Sequence, residues 1–138
     1  MNVLVDTSVW SLALRRKSGD LSPRDEKLVR ALQELVQEGR ARIIGPIRQE
    51  LLTGIREPER YRKLRDKLRA FPEPTLDVIS YEEAAHLSNL CRAQGISGSP
   101  VDFLVCAVAQ QHRWQVFTTD QDFGNISKVI PLIFYQTA

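Results

Sequence analysis

Near the start of the chain, the stretch Val3-Leu4-Val5-Asp6-Thr7-Ser8 joins an apolar run to a polar one. Three consecutive apolar residues predict a short buried strand, because a strand that is covered on both faces has no polar side. The acid and the two hydroxyls that follow are typical of a helix start, and we expect that helix to run to about Arg16. The stretch therefore predicts a β-strand that leads directly into an α-helix.

Short apolar runs continue to alternate with amphipathic segments along the rest of the chain. Further strands are predicted over residues 41–44, 75–79, 115–119 and 129–135, with Pro131 restricting the last one to an edge or a bulge. Helices are predicted between them, starting near Pro23, Pro46, Pro58, Ser80 and Pro100. Apolar strands that alternate with helices indicate an α/β fold whose mainly parallel sheet, of about five short strands, is covered on both faces.

The length and composition of the chain indicate an ordinary soluble domain. Its 138 residues, 43% hydrophobic and 26% charged, predict a single domain over residues 1–138. No apolar run approaches the roughly 20 residues that span a bilayer, and an acid at position 6 comes too early for a secretory signal. We therefore expect a cytoplasmic protein with no membrane partner. We interpret Cys91 and Cys106 as buried apolar residues in a reducing compartment, while a disulfide between them remains open.

Positive charge is concentrated in one segment. The net charge of the chain is only +2, but residues 56–69 contain seven basic and three acidic residues and carry +4. One side of this predicted helix is apolar, with Tyr61, Leu64 and Leu68. The remaining surface is either a solvated helix face or a binding surface for an acidic partner such as nucleic acid.

Four acids occupy positions that the topology brings to one edge of the sheet. Asp6 and Asp120 each follow a predicted strand, and Glu50 lies about one turn into the helix after the second strand. Asp102 lies in the first turn of the helix at Pro100. That helix is about 20 Å long and the strand after it about 17 Å, so the helix start returns to the strand's carboxyl end. Ligands of open parallel sheets bind at this edge.

Each acid alone also has an ordinary structural interpretation. Asp6 and Asp102 can cap their helices, Glu50 can pair with a neighbouring arginine, and Asp120 can be a turn acid. Together, however, four converging carboxylates repel one another, and a divalent cation resolves that repulsion. An oxygen-only cluster suits Mg²⁺ or Mn²⁺ rather than zinc. Such ions activate water and stabilise the leaving oxygen in phosphodiester cleavage.

Four stretches of the chain match the motifs of a known family in order and spacing. They are residues 3–8 (VLVDTS), 48–54 (RQELLTG), 100–109 (PVDFLVCAVA) and 118–123 (TTDQDF). Together they resemble the PIN-domain family, and within it the VapC-type toxins of bacterial toxin–antitoxin pairs. Each motif alone is weak, but the ordered set spans nearly the whole chain.

The resemblance implies a three-layer α/β/α sandwich and a Mg²⁺- or Mn²⁺-dependent endoribonuclease. It also implies a homodimer that acts as the toxin of a VapBC-type pair, with RNA as substrate and a cognate VapB-like antitoxin as partner. The catalytic and metal-binding acids of the family correspond to Asp6, Glu50, Asp102 and Asp120. Further site candidates are Asp122, Thr7, Ser8 and Thr118. Candidates for binding RNA or the antitoxin lie in the basic segment, namely Arg60, Arg62, Lys63 and Arg65.

Two alternatives remain open at this point. The first is a PIN nuclease that matures RNA without a paired antitoxin. The second belongs to a different class, a Mg²⁺-binding phospho-acceptor signalling domain of the receiver type. Such a domain has adjacent acids after its first strand and a lysine late in its sheet, whereas here Asp6 stands alone and the fourth strand has no lysine.

Overall fold

A computed structural model describes residues 1–16 and 18–137 of the chain. Its centre is a parallel sheet of three strands in the order β2-β1-β3, formed by β1 (Val3–Val5), β2 (Ala41–Arg42) and β3 (Gln115–Phe117). All three residues of β1 are fully buried, because a neighbouring strand lies on each side of β1 and helices cover the sheet. The predicted α/β class with a parallel sheet is confirmed.

Seven α-helices lie in the described part of the chain. They are α1 (Thr7–Leu14), α2 (Pro23–Gln37), α3 (Gly45–Leu52), α4 (Pro58–Leu68), α5 (Val78–Ala93), α6 (Pro100–His112) and α7 (Gln121–Ile126). A 3-10 turn over Ser18–Asp20 precedes α2. Four of the helices begin with a proline in the first turn, where its missing N–H costs nothing. Helix α1 ends two residues before the predicted end at Arg16.

The helices pack in two groups around the sheet. Helix α1 contacts α2 and α3, and α3 contacts α4, whereas α5 packs on α6, and α6 packs on β3. Every residue from Asp102 to Ala109 is buried, so α6 is the central helix of its group. No helix among the described residues is long and apolar enough to cross a bilayer.

The number of strands differs from the prediction of five. Residues 75–79 form no strand, because Asp77 accepts the backbone N–H of Ser80 at 3.0 Å and caps α5, which begins at Val78. Residues 129–135 contribute only a parallel bridge between Phe134 and Val116 at the outer side of β3. The predicted edge position of that segment is correct, but its length as a strand was overestimated.

Both cysteines are buried and free. Burial raises the pKa of the Cys91 thiol and, with smaller effects from the charges of Asp102 and Asp6, raises that of Cys106 to about 12. Thiols that stay protonated in this way behave as small apolar side chains. The interpretation of the cysteines as core residues is therefore confirmed.

Candidate metal centre

Asp6 lies where the carboxyl ends of β1 and β3 meet. Its backbone N–H donates to the carbonyl of Phe117 at 2.9 Å, which extends the pairing of the two strands by one residue. Asp6 occupies the N-cap position of α1, but its side chain makes no capping hydrogen bond. Instead, the Oδ2 atom accepts hydrogen bonds from Ser8 Oγ and Thr118 Oγ1, both at 2.9 Å. The capping interpretation therefore does not account for this carboxylate, which is only 6% exposed.

Asp102 lies at the start of α6 and is also buried. The capping interpretation is correct here, because Asp102 N donates to Ser99 Oγ at 3.1 Å and Ser99 N donates to Asp102 Oδ2 at 2.9 Å. Burial is the main cause that raises the pKa of Asp102, and the negative charges of Asp6 and Asp120 raise it further, against the lowering effect of the Ser99 hydrogen bonds. Asp102 thus caps α6 and also lies beside two other acids.

Three carboxylates come together at the ends of β3 and α6. Asp102, Asp120 and Asp122 each offer one oxygen, and these oxygens all lie within 4.8 Å of one another. Asp120 caps α7 by accepting the backbone N–H of Asp122 at 2.9 Å, so both acids lie at the start of this helix. A compact set of oxygen donors fits a hard divalent cation such as Mg²⁺ or Mn²⁺. The group of three contains neither Asp6 nor Glu50.

Glu50 lies at the rim of the site. It is exposed on α3, and its Oε2 atom accepts a hydrogen bond from Thr7 Oγ1 at 2.7 Å. The alternative pairing with Arg48 does not occur, because that guanidinium contacts Glu73 at 2.7 Å. Glu50 lines a surface cavity together with Val101, the residue before Asp102. The structure therefore places Glu50 near the start of α6 but outside the group of three carboxylates.

No basic side chain neutralises these acids in the described part of the chain. All four ion pairs found there involve other carboxylates: Glu38, Glu73, Glu59 and Asp66. Of these acids, Asp6 and Asp102 are buried, and buried acids without a counter-charge are costly, for which a cation is the usual solution. The arrangement can therefore hold a divalent cation at the edge of the sheet.

Two features of the site were not predicted from the sequence. Helix α7 was not predicted, although Phe123 and Ile126, three residues apart and both buried, follow an acid that can cap a helix. Gly98 was not singled out either. A Cβ atom on Gly98 would lie 3.3 Å from Asp102 Oδ2 and 3.1 Å from Ile126, so the backbone approaches the site closely at this glycine.

The basic segment is the helix α4. Leu64 and Leu68 are buried as expected, but Tyr61 is 39% exposed, so the predicted apolar side is narrower by one residue. Arg62 contacts Glu59 at 2.9 Å and Arg65 contacts Asp66 at 3.0 Å. The remaining cations include Arg60, which donates to the carbonyl of Arg15 at 3.2 Å, and the exposed Lys63.

The sequence pattern of the PIN domain family matches residues 3–129. The chain belongs to the PIN domain family. PIN domains are nucleases, which places the chain among the phosphodiester hydrolases. The match includes all of the acids described above. It gives no support to the alternative of a receiver-type signalling domain.

Solved structures share the fold of this PIN domain. The FitAcB structure from Neisseria gonorrhoeae is 19% identical, with a TM-score of 0.72 over 98% of this chain and 97% of that one. A VapBC2 structure from Rickettsia felis, bound to a promoter DNA fragment, is 15% identical, with a TM-score of 0.72 over 98% of each chain. A toxin–antitoxin complex from Klebsiella pneumoniae is 18% identical, with a TM-score of 0.69 over 88% and 90%. No curated protein sequence matches significantly.

Proposed function

We propose that this PIN domain is a Mg²⁺- or Mn²⁺-dependent endoribonuclease. The observation that carries the proposal is the cluster of Asp102, Asp120 and Asp122, whose oxygens lie within 4.8 Å of one another. The buried Asp6 lies close enough for its charge to act on Asp102. A nuclease family and an all-oxygen site without a counter-charge point to the same chemistry.

The roles of the acids follow from their positions. Asp102, Asp120 and Asp6 would hold the cation, with Asp122 as a further ligand. When bound, such an ion supplies a nucleophile from water and stabilises the leaving oxygen of a phosphodiester. Glu50, exposed at the rim and hydrogen-bonded to Thr7, would contact the ion or a water beside it. The chain's own part is to hold these oxygens in place and to keep bulk water out of the buried half of the site.

We further propose that the chain is the toxin of a VapBC-type pair. Its support is that solved structures with the same fold include a toxin–antitoxin complex, a VapBC2 complex and FitAcB. A cognate VapB-like antitoxin and a second copy of the chain are the proposed protein partners. The basic residues of α4, among them Arg60, Arg62, Lys63 and Arg65, are proposed to attract RNA phosphates or the antitoxin.

Cleavage of a single-stranded RNA in Mg²⁺, with the parent and with Asp6→Asn, tests the enzymatic proposal. The parent should cleave in Mg²⁺ and stop when the ion is chelated. Asp6→Asn should lose at least about 100-fold in rate, because one charged ligand is gone. The same charge change at the exposed Glu34 of α2, Glu34→Gln, is the matched control and should cleave like the parent. Undiminished cleavage in chelator, or by a folded Asp6→Asn protein, would contradict the proposal.

A further inference from the structure

Gly98 lies in the loop between α5 and α6, against both helices that carry the three clustered carboxylates. A Cβ atom at this position would lie 3.3 Å from Asp102 Oδ2 and 3.2 Å from the ring of Phe103 on α6. It would also lie 3.1 Å from the Cδ1 atom of Ile126 on α7. All three distances are shorter than the optimal separation of non-bonded atoms, about 3.5–4.0 Å. The loop backbone at Gly98 therefore leaves no room for a side chain against either helix.

Space, and not backbone conformation, accounts for the glycine at this position. Gly95, three residues earlier, has a φ of +75°, a conformation that by itself favours glycine. Gly98 is not among the glycines of the described chain that have a positive φ, so its backbone suits other residues as well. A Cβ atom on Gly124 in α7 would meet no atom within 4 Å. An added methyl group is therefore opposed at Gly98 by its neighbours alone.

These neighbours have little freedom to move aside. Ile126 is fully buried and Phe103 is only 2% exposed, and side chains in a close-packed interior have few other positions to adopt. The carboxylate of Asp102 is also held, because the peptide group between Gly98 and Ser99 donates its N–H to Oδ2 at 2.9 Å. A methyl group on residue 98 would therefore displace the helices themselves and not only the ends of side chains.

The displaced helices would carry the clustered acids with them. Asp102 lies in the first turn of α6, whereas Asp120 and Asp122 lie at the start of α7, which ends at Ile126. Because α7 has only six residues, a push on Ile126 moves its start as well. The oxygens of the three acids lie within 4.8 Å of one another. We propose that Gly98 is a positioning residue that sets this spacing and thereby favours a small divalent cation over a larger one.

The preference for a small cation follows from ligand geometry, and it rests on the proposed metal-dependent function. Mg²⁺ requires a near-ideal octahedron of oxygens at about 2.1 Å, whereas Ca²⁺ accepts irregular sets at about 2.3–2.6 Å. A methyl group at Gly98 would force its neighbours apart by roughly a few tenths of an ångström, which is the difference between the two ions. A wider spacing therefore costs Mg²⁺ more binding energy than it costs Ca²⁺.

The test is the binding of Mg²⁺ and of Ca²⁺ to the full chain, each measured by titration calorimetry. Gly98→Ala should weaken Mg²⁺ binding about 10-fold, as expected when the surroundings of a metal ligand are disturbed, and Ca²⁺ binding less. Gly124→Ala is the matched control, because it adds the same methyl group to α7 in open space, and it should keep the affinity ratio of the parent. Ile126→Val removes the Cδ1 atom that the new methyl group would meet. The double variant Gly98→Ala with Ile126→Val should therefore have a ratio between those of the two single variants.

The affinity ratio separates positioning from a general structural role. An equal weakening of both ions in Gly98→Ala would overturn the proposal, because a general loss of structure affects both alike. Parent-like affinity for both ions in a folded Gly98→Ala protein would overturn it as well. If Gly98→Ala fails to fold, the double variant decides. Its methyl group still meets Phe103 and Asp102, so its ratio should stay below that of Ile126→Val, and equal ratios would overturn the proposal. A parent that neither binds these ions nor cleaves RNA would instead contradict the proposed function itself.

Discussion

Asp102 is the residue on which the electrostatics of the site depend most clearly. Its pKa is raised, first by burial and then by the charges of Asp6 and Asp120. Because the folded protein holds this proton to a higher pH than the unfolded chain does, stability falls as the pH rises from the unfolded pKa through the folded one. The ionised form of Asp102 therefore destabilises the metal-free protein.

We predict that Asp102→Asn raises the melting temperature of the metal-free protein at about pH 8, by about 2–4 °C for each kcal/mol gained. The asparagine carbonyl can still accept the N–H of Ser99, so the helix cap is retained. Thermal denaturation in metal-free buffer across a pH series is the measurement. The gain should disappear below about pH 4, where the acid is protonated in both states. Equal melting temperatures of the two proteins at about pH 8 would refute the prediction.

At the residue scale, the sequence predicted that Asp102 and Asp120 come together, but not that Asp6 and Glu50 lie outside their compact group, nor how the acids are held. Because the carboxyl ends of parallel strands share one edge of the sheet, topology alone was enough to bring Asp102 towards Asp120. The contact between Thr7 and Glu50 joins side chains 43 positions apart at 2.7 Å. Such a bond depends on side-chain rotamers and on the packing of α1 against α3, which no local pattern encodes.

At the scale of elements, local patterns located the helices better than the outer strands. Residues 75–79 have the composition of a strand, but Asp77 caps α5, which begins at Val78, and this is a competing use of the same residues. Residues 129–135 pair with the sheet through a single bridge, between Phe134 and Val116. Strand pairing depends on distant partners, whereas a helix closes its hydrogen bonds within its own segment. Six of the seven helices in the described part of the chain were therefore predictable, whereas α7 and the strand count were not.

The ion pairs of α4 allow a more specific prediction of which basic residues bind RNA. Arg62 and Arg65 already face Glu59 and Asp66, whereas Lys63 and Lys67 have no acidic partner in the described part of the chain. Each lost phosphate contact should lower the slope of log affinity against log salt by about 0.7 for single-stranded RNA. We predict that Lys63→Glu with Lys67→Glu flattens this slope more than Arg62→Glu with Arg65→Glu does.

The measurement is RNA affinity across a salt series, with every variant in the Asp6→Asn background so that RNA is not cleaved. Mn²⁺ binding of the same α4 substitutions in the parent background shows whether the metal site is intact. A slope that stays unchanged in both double variants would assign the basic face of α4 to solubility or to a protein partner rather than to RNA.

For the whole molecule, the site joins parts of the chain that are far apart in sequence. Asp6 follows β1, Glu50 lies on α3, Asp102 begins α6, and Asp120 and Asp122 begin α7. An unfolded chain cannot hold these oxygens together, so a cation binds almost only to the folded state. When a ligand binds only the folded state, its binding adds directly to the free energy of unfolding.

We therefore predict that Mg²⁺ raises the melting temperature of the parent. At a concentration about 100 times its dissociation constant, the ion should add about 2.7 kcal/mol, or roughly 5–10 °C for a domain of this size. Asp120→Asn should lose most of this gain without losing the α7 cap, because asparagine caps helices as well as aspartate does. Glu34→Gln removes one negative charge far from the site and should keep the full gain, which separates ligation from a general charge effect. Differential scanning calorimetry with and without Mg²⁺ measures all three proteins. If Asp120→Asn gains as much as the parent, Asp120 does not ligate the ion, and the cation must be held by the other acids of the edge.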